Sequence, residues 1–485
     1  MEQERFVERR TQYMEQLGDA IAIVSAGRLQ TRNDDVDHDF RQDSNFFFLT
    51  GFSEPGAIAV FDPAHETEQY TLFVRKRDPD MEAWNGRRAG THGALETYGA
   101  DAAHVVEDFG LWLKNRLLGR TDIHYTLGGS NDSTVLSAIS SARAYSLRSG
   151  AISPSSMTDP SSILSEMRLF KAPAEVEALR QACHISATAH TEVMRFTRPG
   201  MNERQVQAAI EYMFAVNGSQ RVGYGSIIAG GDNATILHYV ENNQDLRDGD
   251  LVLIDAAAEY DHFTADITRT FPINGTFTAP QRALYELTLT AERDVIKMCT
   301  PGLPFADMHT KAVKTLSHGL VEIGLLPGPV DEAIEKGWYR QFFFHGTGHW
   351  LGMDVHDAGA YKRDREPRKL EPSMCFTVEP GLYVAPEKEV LSLSHASYDA
   401  TGAFALSYEI GADEAKAKMA KVDEAAGFVE FTVPAEFIGL GVRIEDNILI
   451  TESGHDNMSE EAPVDPGDIE TICQQESSLS LPDLP

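Results

Sequence analysis

The first third of the chain alternates short apolar runs with polar, Gly/Pro-rich turns. Residues 20–26 (AIAIVSA), 57–61 (AIAVF) and 70–74 (YTLFV) predict strands, and 104–117 (HVVEDFGLWLKNRL) predicts a helix feeding a further strand at DIHYTLG. Polar stretches, above all NDDVDHDFRQDSN at 33–45, read as loops. Residues 1–171 are therefore expected to form a self-contained N-terminal α/β domain.

The period then lengthens to that of helices. One helix is expected from Pro173, suited to a first turn, to the stretch before Thr197-Arg198-Pro199-Gly200. A second is expected from a cap at Asn202 through ERQVQAAIEYMFAV. The same grammar returns: a helix over about 280–299, a Thr300-Pro301-Gly302 turn, and another helix from about Phe305. Strand-like segments follow each pair, at 225–240 and 251–271, then at 341–354 and 375–384. The repetition suggests an internal duplication, and duplicated halves often place a site on their pseudo-twofold axis. Residues 172–485 are read as one catalytic domain with an insertion at 388–437, whose Ala/Lys/Glu stretch DEAKAKMAKVDEAAG predicts a short helix. The closing ESSLSLPDLP is expected to fray.

Composition narrows the classes. At 485 residues and 42% hydrophobic the chain has ample core material for two or three domain-equivalents. The formal charge of -32 argues against a nucleic-acid or anionic-membrane binder and fits a strongly hydrated surface. Four scattered cysteines (Cys183, Cys299, Cys375, Cys473) form neither a disulfide framework nor a zinc knuckle, which suits a reducing compartment. Residues 1–16 are charged, unlike a signal peptide, and no run approaches the ~20 apolar residues of a membrane span. A cytoplasmic location is expected.

Chemistry concentrates in a few acids and imidazoles set in apolar sequence. Asp255 ends the run LVLID, and Asp266, eleven residues on, alternates with Thr264 and Thr268. Two such acids facing each other across a tight return repel, and divalent cations relieve that; the bland reading is a strand cap or a pair with Arg269. In FFFHGTGHWLGMDVH, His345 and His349 lie four apart, but Gly346 and Gly348 argue against a helix, and Gly346 stands where a zincin would carry Glu. His356 follows between Asp354 and Asp357, potential carboxylate partners; satisfied core histidines beside Trp350 are the alternative. Glu379 in TVEPG and Glu445 beside Arg443 in GVRIED interrupt apolar strands, where an unpaired glutamate is unusual. Four carboxylates and one imidazole (Asp255, Asp266, His349, Glu379, Glu445) overcompensate one divalent ion but balance two. That favours a dinuclear site with a bridging water or hydroxide, Mn²⁺ being preferred.

The runs ILHYVENN, LVLIDAAAEY, ADITRTFPING, FFFHGTGHWLGMDVHD, TVEPGLYVAP and GVRIEDNILIT together resemble the proline-specific branch of the pita-bread metallopeptidases, the Xaa-Pro aminopeptidase (aminopeptidase P) group. The resemblance is dense over 172–386 and 438–455 and weaker over 1–170. It implies a C-terminal pita-bread catalytic domain with internal pseudo-twofold duplication behind a smaller creatinase/prolidase-type N-terminal domain, which shapes the cleft mouth and supports oligomerisation. It places the five metal ligands on Asp255, Asp266, His349, Glu379 and Glu445, with Asp266 and Glu445 bridging the two ions. His238 falls on a substrate-side histidine, His345 and His356 on further active-site histidines, Arg443 on an arginine beside the last ligand, and Trp84 on a pocket-lining tryptophan.

The implied activity is hydrolysis of the Xaa-Pro bond at peptide N-termini by a metal-bridging hydroxide, with Glu379 handling the proton. Two divalent ions are expected, Mn²⁺ first with Zn²⁺ or Co²⁺ as alternatives. The expected partners are short peptides with proline second, in a homodimer or homotetramer. A tertiary Xaa-Pro amide lacks N–H and carries a locked ring, so a dedicated pocket is needed; Tyr383, Trp350, His345 and His356 are candidates for its wall. The alternative is a prolidase confined to dipeptides, and a non-enzymatic peptide binder is the remaining class. Similar bacterial enzymes join the TVEPGLY and GVRIED strands by a short loop, so the insertion of roughly fifty residues at 388–437 is a departure.

Overall fold

The computed structural model describes residues 3–480, and the last five residues of the expected fraying tail lie outside them. Two compact units divide the chain between Met167 and Arg168. The N-terminal unit is built on a six-stranded mixed sheet. Its order is Ala102–Val105, Tyr70–Val74, Ile58–Phe61, Ile21–Ser25, Asp122–His124, Ser156–Thr158. Antiparallel pairing holds the middle, and parallel pairs flank it. Helices Phe109–Arg116 and Asp132–Ser149 bury Phe109, Leu113, Val135 and Ile139 against Ile21, Ile23, Ile58 and Phe73. On the other face, helix Gln3–Leu17 sets Tyr13 edge-on to Phe61 at 5.3 Å. Part of the expected 33–45 loop is ordered locally: a small hairpin pairs Thr31–Asn33 with Val36–Asp37, and Asp43 caps helix Ser44–Thr50.

In the C-terminal unit the repeated sequence grammar becomes repeated structure. Helix Pro173–Phe196 starts on Pro173, with Glu175 reaching back to the Ala172 N–H, and ends before Gly200, whose φ of 87° only glycine adopts freely. Helix Glu203–Val216 follows, Asn202 capping the Arg204 N–H. Helices Ala279–Met298 and Phe305–Glu322 are joined by Gly302, with φ of 89°. The two turns are bonded alike. Gly200 N–H donates to Leu246 O, Leu246 N–H to Met201 O and Glu203 N–H to Gln244 O; Gly302 donates to Leu370, Leu370 to Leu303 and Phe305 to Arg368. Six matched bonds establish the duplication that two Pro-Gly turns only suggested.

Each half carries a small antiparallel sheet. The first pairs Ile227–Gly230 with Leu251–Asp255 and that strand with Thr268–Pro272. The second pairs Cys375–Val378 with Asp446–Ile450, and Gly381–Tyr383 with Gly441–Arg443. A bridge between Thr268 and Glu445 joins the halves. Two strand expectations shrink: 225–240 contains only Ile227–Gly230 before turning into a loop, and 341–354 has no extended strand, touching its neighbour through the Trp350–Phe376 bridge. Glycine and aromatic residues make these segments apolar without making them strands.

Residues 390–432 form a hairpin, Val390–Ser394 with Phe428–Thr432, crowned by helices Ala400–Ile410 and Ala412–Ala426. The final stretch runs contrary to expectation up to Ser480. Ser477 and Ser478 donate to Glu192, and Leu479 packs on the core. No helix among the described residues is long and apolar enough to cross a membrane.

Candidate active site

The site forms where the halves meet, and strand register explains how distant acids arrive there. Asp255 stands opposite Thr268, and Thr268 bridges Glu445. Val378 pairs with Asp446 and Gly381 with Arg443, so both ladders share one register and Glu379 faces Glu445 where they break. Like charges directly opposite are destabilising, and the ladder loses its regularity at this pair. Asp266 lies just before the strand Thr268–Pro272. Asn447 clamps it, accepting from its N–H at 3.0 Å and donating to its carbonyl. His349 enters from the loop after the aromatic run, its N–H donating to Thr377 Oγ1 at 3.1 Å.

Asp266, His349 and Glu445 present ligand atoms within 4.8 Å of one another. His349 Nε2 lies 3.3 Å from Asp266 and 3.7 Å from Glu379, while its Nδ1 meets the Trp350 carbonyl at 3.0 Å. That backbone contact leaves Nε2 turned to the acids, as a ligating imidazole requires. Asp255 is outside the tight trio: Tyr224 donates to one oxygen at 2.6 Å, and Arg443 pairs with the other. Arg269, the partner considered from sequence, is buried against Asp446 at 2.6 Å instead.

The charge balance is strained. Burial pushes Glu445 well above the usual carboxylate range, and Asp266, Glu379 and Asp255 push the same way. Burial raises Asp255 as well, against the pull of Arg443. Glu379 is raised to about 7, chiefly by burial, with His349 and Arg443 opposing. Burial disfavours the His349 imidazolium, but Asp266 and Glu379 prevail and hold it at about 9. A buried set of carboxylates short of positive charge, with one imidazole among them, is a donor set suited to hard or borderline divalent cations.

Around it, Arg443 donates to Thr268 Oγ1 at 3.1 Å, and Thr268 donates to Glu445 at 2.7 Å; Arg443 thus reaches Glu445 through a hydroxyl. Arg443 also donates to Tyr383 Oη at 3.1 Å, which meets His345 Nε2 at 2.9 Å, and His345 Nδ1 meets Gly346 O at 2.7 Å. Burial, then Arg443, lowers His345 to about 3, so it is a neutral imidazole with both nitrogens engaged. His238 and His356 are exposed. The His356 ring is 4.0 Å from that of His349, and burial, then His349, lowers its affinity for a proton.

Some expectations change. The acids flanking His356 do not serve it: Asp357 is held by Lys171 at 2.9 Å and by Arg168, which also binds Asp354 at 2.6 Å. Trp350 is fully buried among Phe305, Tyr361 and Phe376 and offers no pocket wall; Tyr383, 1% exposed, serves as the link described above. Trp84 is 85% exposed on helix Pro79–Asn85. Sequence reasoning missed Tyr224, Thr268 as a relay, Asn447 and His309, whose Nδ1 meets Thr347 Oγ1 at 2.9 Å. Asp266–Asn447 and Asp255–Tyr224 join residues far apart in the chain, and no local pattern announces them.

Comparison with known proteins adds the relationship. Residues 177–452 match metallopeptidase family M24, and residues 6–124 match the aminopeptidase P N-terminal domain. The chain is 38% identical to an Escherichia coli Xaa-Pro aminopeptidase and 36% identical to that of Haemophilus influenzae, each alignment covering 97% of both chains. The fold superposes on the Pseudomonas aeruginosa aminopeptidase PepP with a TM-score of 0.86 at 38% identity, covering 98% of each chain. A zinc-substituted E. coli aminopeptidase P bound to product gives 0.86 at 37% identity, again over 98% of each. The C-terminal unit has the pita-bread fold that the sequence led us to expect. From matched residues and superposed fold alike, the chain belongs to metallopeptidase family M24, with an aminopeptidase P-type domain ahead of its catalytic part.

Proposed function

We propose that this protein is a metallo-exopeptidase that removes the N-terminal residue from peptides whose second residue is proline. The observation that carries the reading is the meeting of Asp266, His349 and Glu445 ligand atoms within 4.8 Å at the junction of the halves, with Glu379 and Asp255 in electrostatic reach of them, in a chain aligned over 97% of its length with Xaa-Pro aminopeptidases. Asp255, Asp266, His349, Glu379 and Glu445 would hold two divalent cations, with Mn²⁺ preferred to Zn²⁺ or Co²⁺ by the oxygen-rich set. When bound, such ions bring the pKa of water toward neutrality and polarise the scissile carbonyl.

The chain's own residues do the rest. Glu379 keeps 18% side-chain exposure, against 12% for His349, 11% for Asp255 and 7% for Asp266, so it is the ligand most open to substrate. It is best placed to take a proton from the attacking water and pass it to the departing prolyl nitrogen. His356, exposed with its ring 4.0 Å from that of His349, and His238, exposed within electrostatic reach of His345 and His356, are read as donors to the carbonyl oxygen as it gains charge. Arg443, Thr268, Tyr383 and His345 act as a hydrogen-bonded brace that orients Asp255 and Glu445.

The second reading, a prolidase, is separated by substrate length. With metal restored after chelation, an Xaa-Pro-Yaa series should be hydrolysed at least as well as Xaa-Pro dipeptides; cleavage of dipeptides alone would transfer the protein to the prolidase reading. We read it as cytoplasmic, its four cysteines buried and unpaired. It is also read as a homodimer or homotetramer assembled with the N-terminal unit, a monomer by light scattering at assay concentration being the contrary result.

A further inference from the structure

His238 lies on the loop that follows strand Ile227–Gly230 and leads to Leu251–Asp255. The corresponding loop of the second half follows the Trp350–Phe376 bridge and carries His356. Each loop carries an exposed imidazole that must be held still, the first on a largely exposed segment and the second on a more buried one. The duplication shows where each is fastened. Glu203 and Phe305 are equivalent, each the first residue of its half's second helix and each donating its N–H to the returning loop, at Gln244 O and Arg368 O. Phe305 fastens the second loop with apolar contact, 4.6 Å from Trp350 and 5.1 Å from Tyr361.

Glu203 uses charge for the same task. It is fully buried, and both oxygens are saturated by donors from the first loop. Oε1 accepts from the Gly230 N–H and Asn233 Nδ2, each at 2.9 Å, and Oε2 from Tyr239 Oη at 2.8 Å and the Gln244 N–H at 2.9 Å. These four donors bracket His238, and Tyr239 is its immediate neighbour. Tyr239 also packs in one small apolar cluster with Tyr383, beside the site. Ionised acceptors make the stronger hydrogen bonds, and a buried carboxylate is tolerated only when fully satisfied, as this one is.

We propose that Glu203 is a positioning residue that latches the loop and thereby fixes His238 over the reacting centre. The inference rests on the reading of His238 as substrate-facing. A glutamine at 203 has one acceptor oxygen and turns an NH₂ toward two of the four donors, so E203Q releases half the latch with almost no change of shape.

The test is a double-mutant cycle with hydrogen exchange on the full-length, metal-loaded protein. E203Q should lower kcat/KM on an Xaa-Pro-Yaa peptide roughly ten- to a hundredfold, and Y239F, which removes a single donor, about three- to tenfold. Both effects should vanish in the H238A background, where E203Q/H238A matches H238A within about twofold. Bound metal per chain should not change, and amide exchange should quicken within 230–244. Losses that multiply with H238A, or unchanged exchange in that segment, overturn the latch. If E203Q does not fold, Y239F carries the same cycle. An H238A enzyme of full activity would count against the role given to His238, and exchange would still decide whether Glu203 holds the loop.

Discussion

Glu379 opposite Glu445, with Asp255 and Asp266 alongside, makes the metal-free site an electrostatic fault, and this has a pH signature. The folded-state pKa of Glu379 is raised from 4.5 to about 7, and those of Asp255 and Glu445 move the same way. Between 4.5 and about 7 the folded chain therefore binds more protons than the unfolded one, and stability falls as pH rises through that window. His349 contributes in the same sense higher up: raised to about 9, its stabilisation is present below its ordinary value of 6.5 and lost as pH climbs past 9. Chelated protein should therefore melt at lower temperature at pH 8 than at pH 6, and the gain on adding Mn²⁺ should be larger at pH 8. A metal-induced shift that shrinks with rising pH would contradict this account. All five ligand candidates were legible in the sequence, because acids and imidazoles stand out in apolar runs. Their supports were not: Tyr224, Thr268 and Asn447 are unremarkable residue types that gain meaning only from register and from contacts far along the chain.

At the scale of elements, helices announced by a cap or proline were legible in advance, as at Pro173 and Asn202. Segments whose apolarity comes from glycine and aromatics were misread, as at 341–354, where Trp350 packs inward from a loop. The hairpin at 390–432 shows two kinds of material. Leu391 and Leu393 are buried in the main core and Trp338 donates to Ser394 O at 2.7 Å, whereas in 402–426 Ala415 alone is buried. Phe404 and Tyr408 are 77% and 88% exposed. The strands thus belong to the fold and the helices are appended. Replacing 400–426 with a short Gly/Ser turn should leave the melting temperature within a few degrees, while Leu393→Ala costs about 2–5 kcal/mol. Kinetics of the deletion variant on dipeptides and longer peptides then test whether the helices gate access. Equal relative rates remove that role, and a deletion that unfolds the protein would refute the division drawn here.

For the whole molecule, duplication is the organising fact. Two α-α-β halves, bonded alike at their turns, meet across the Thr268–Glu445 bridge, so each half delivers acids that neither could neutralise alone. Divalent cations are the element that makes this burial of charge favourable. The most direct test is metal stoichiometry measured with turnover in one preparation, for the parent chain and D266N. The account predicts about two divalent ions per parent chain, loss of metal from D266N, and hydrolysis of an Xaa-Pro-Yaa peptide that disappears with the metal and returns with Mn²⁺ in the parent alone. A chelated parent protein that still cleaves the peptide, or a D266N chain that keeps both ions and full activity, would contradict it.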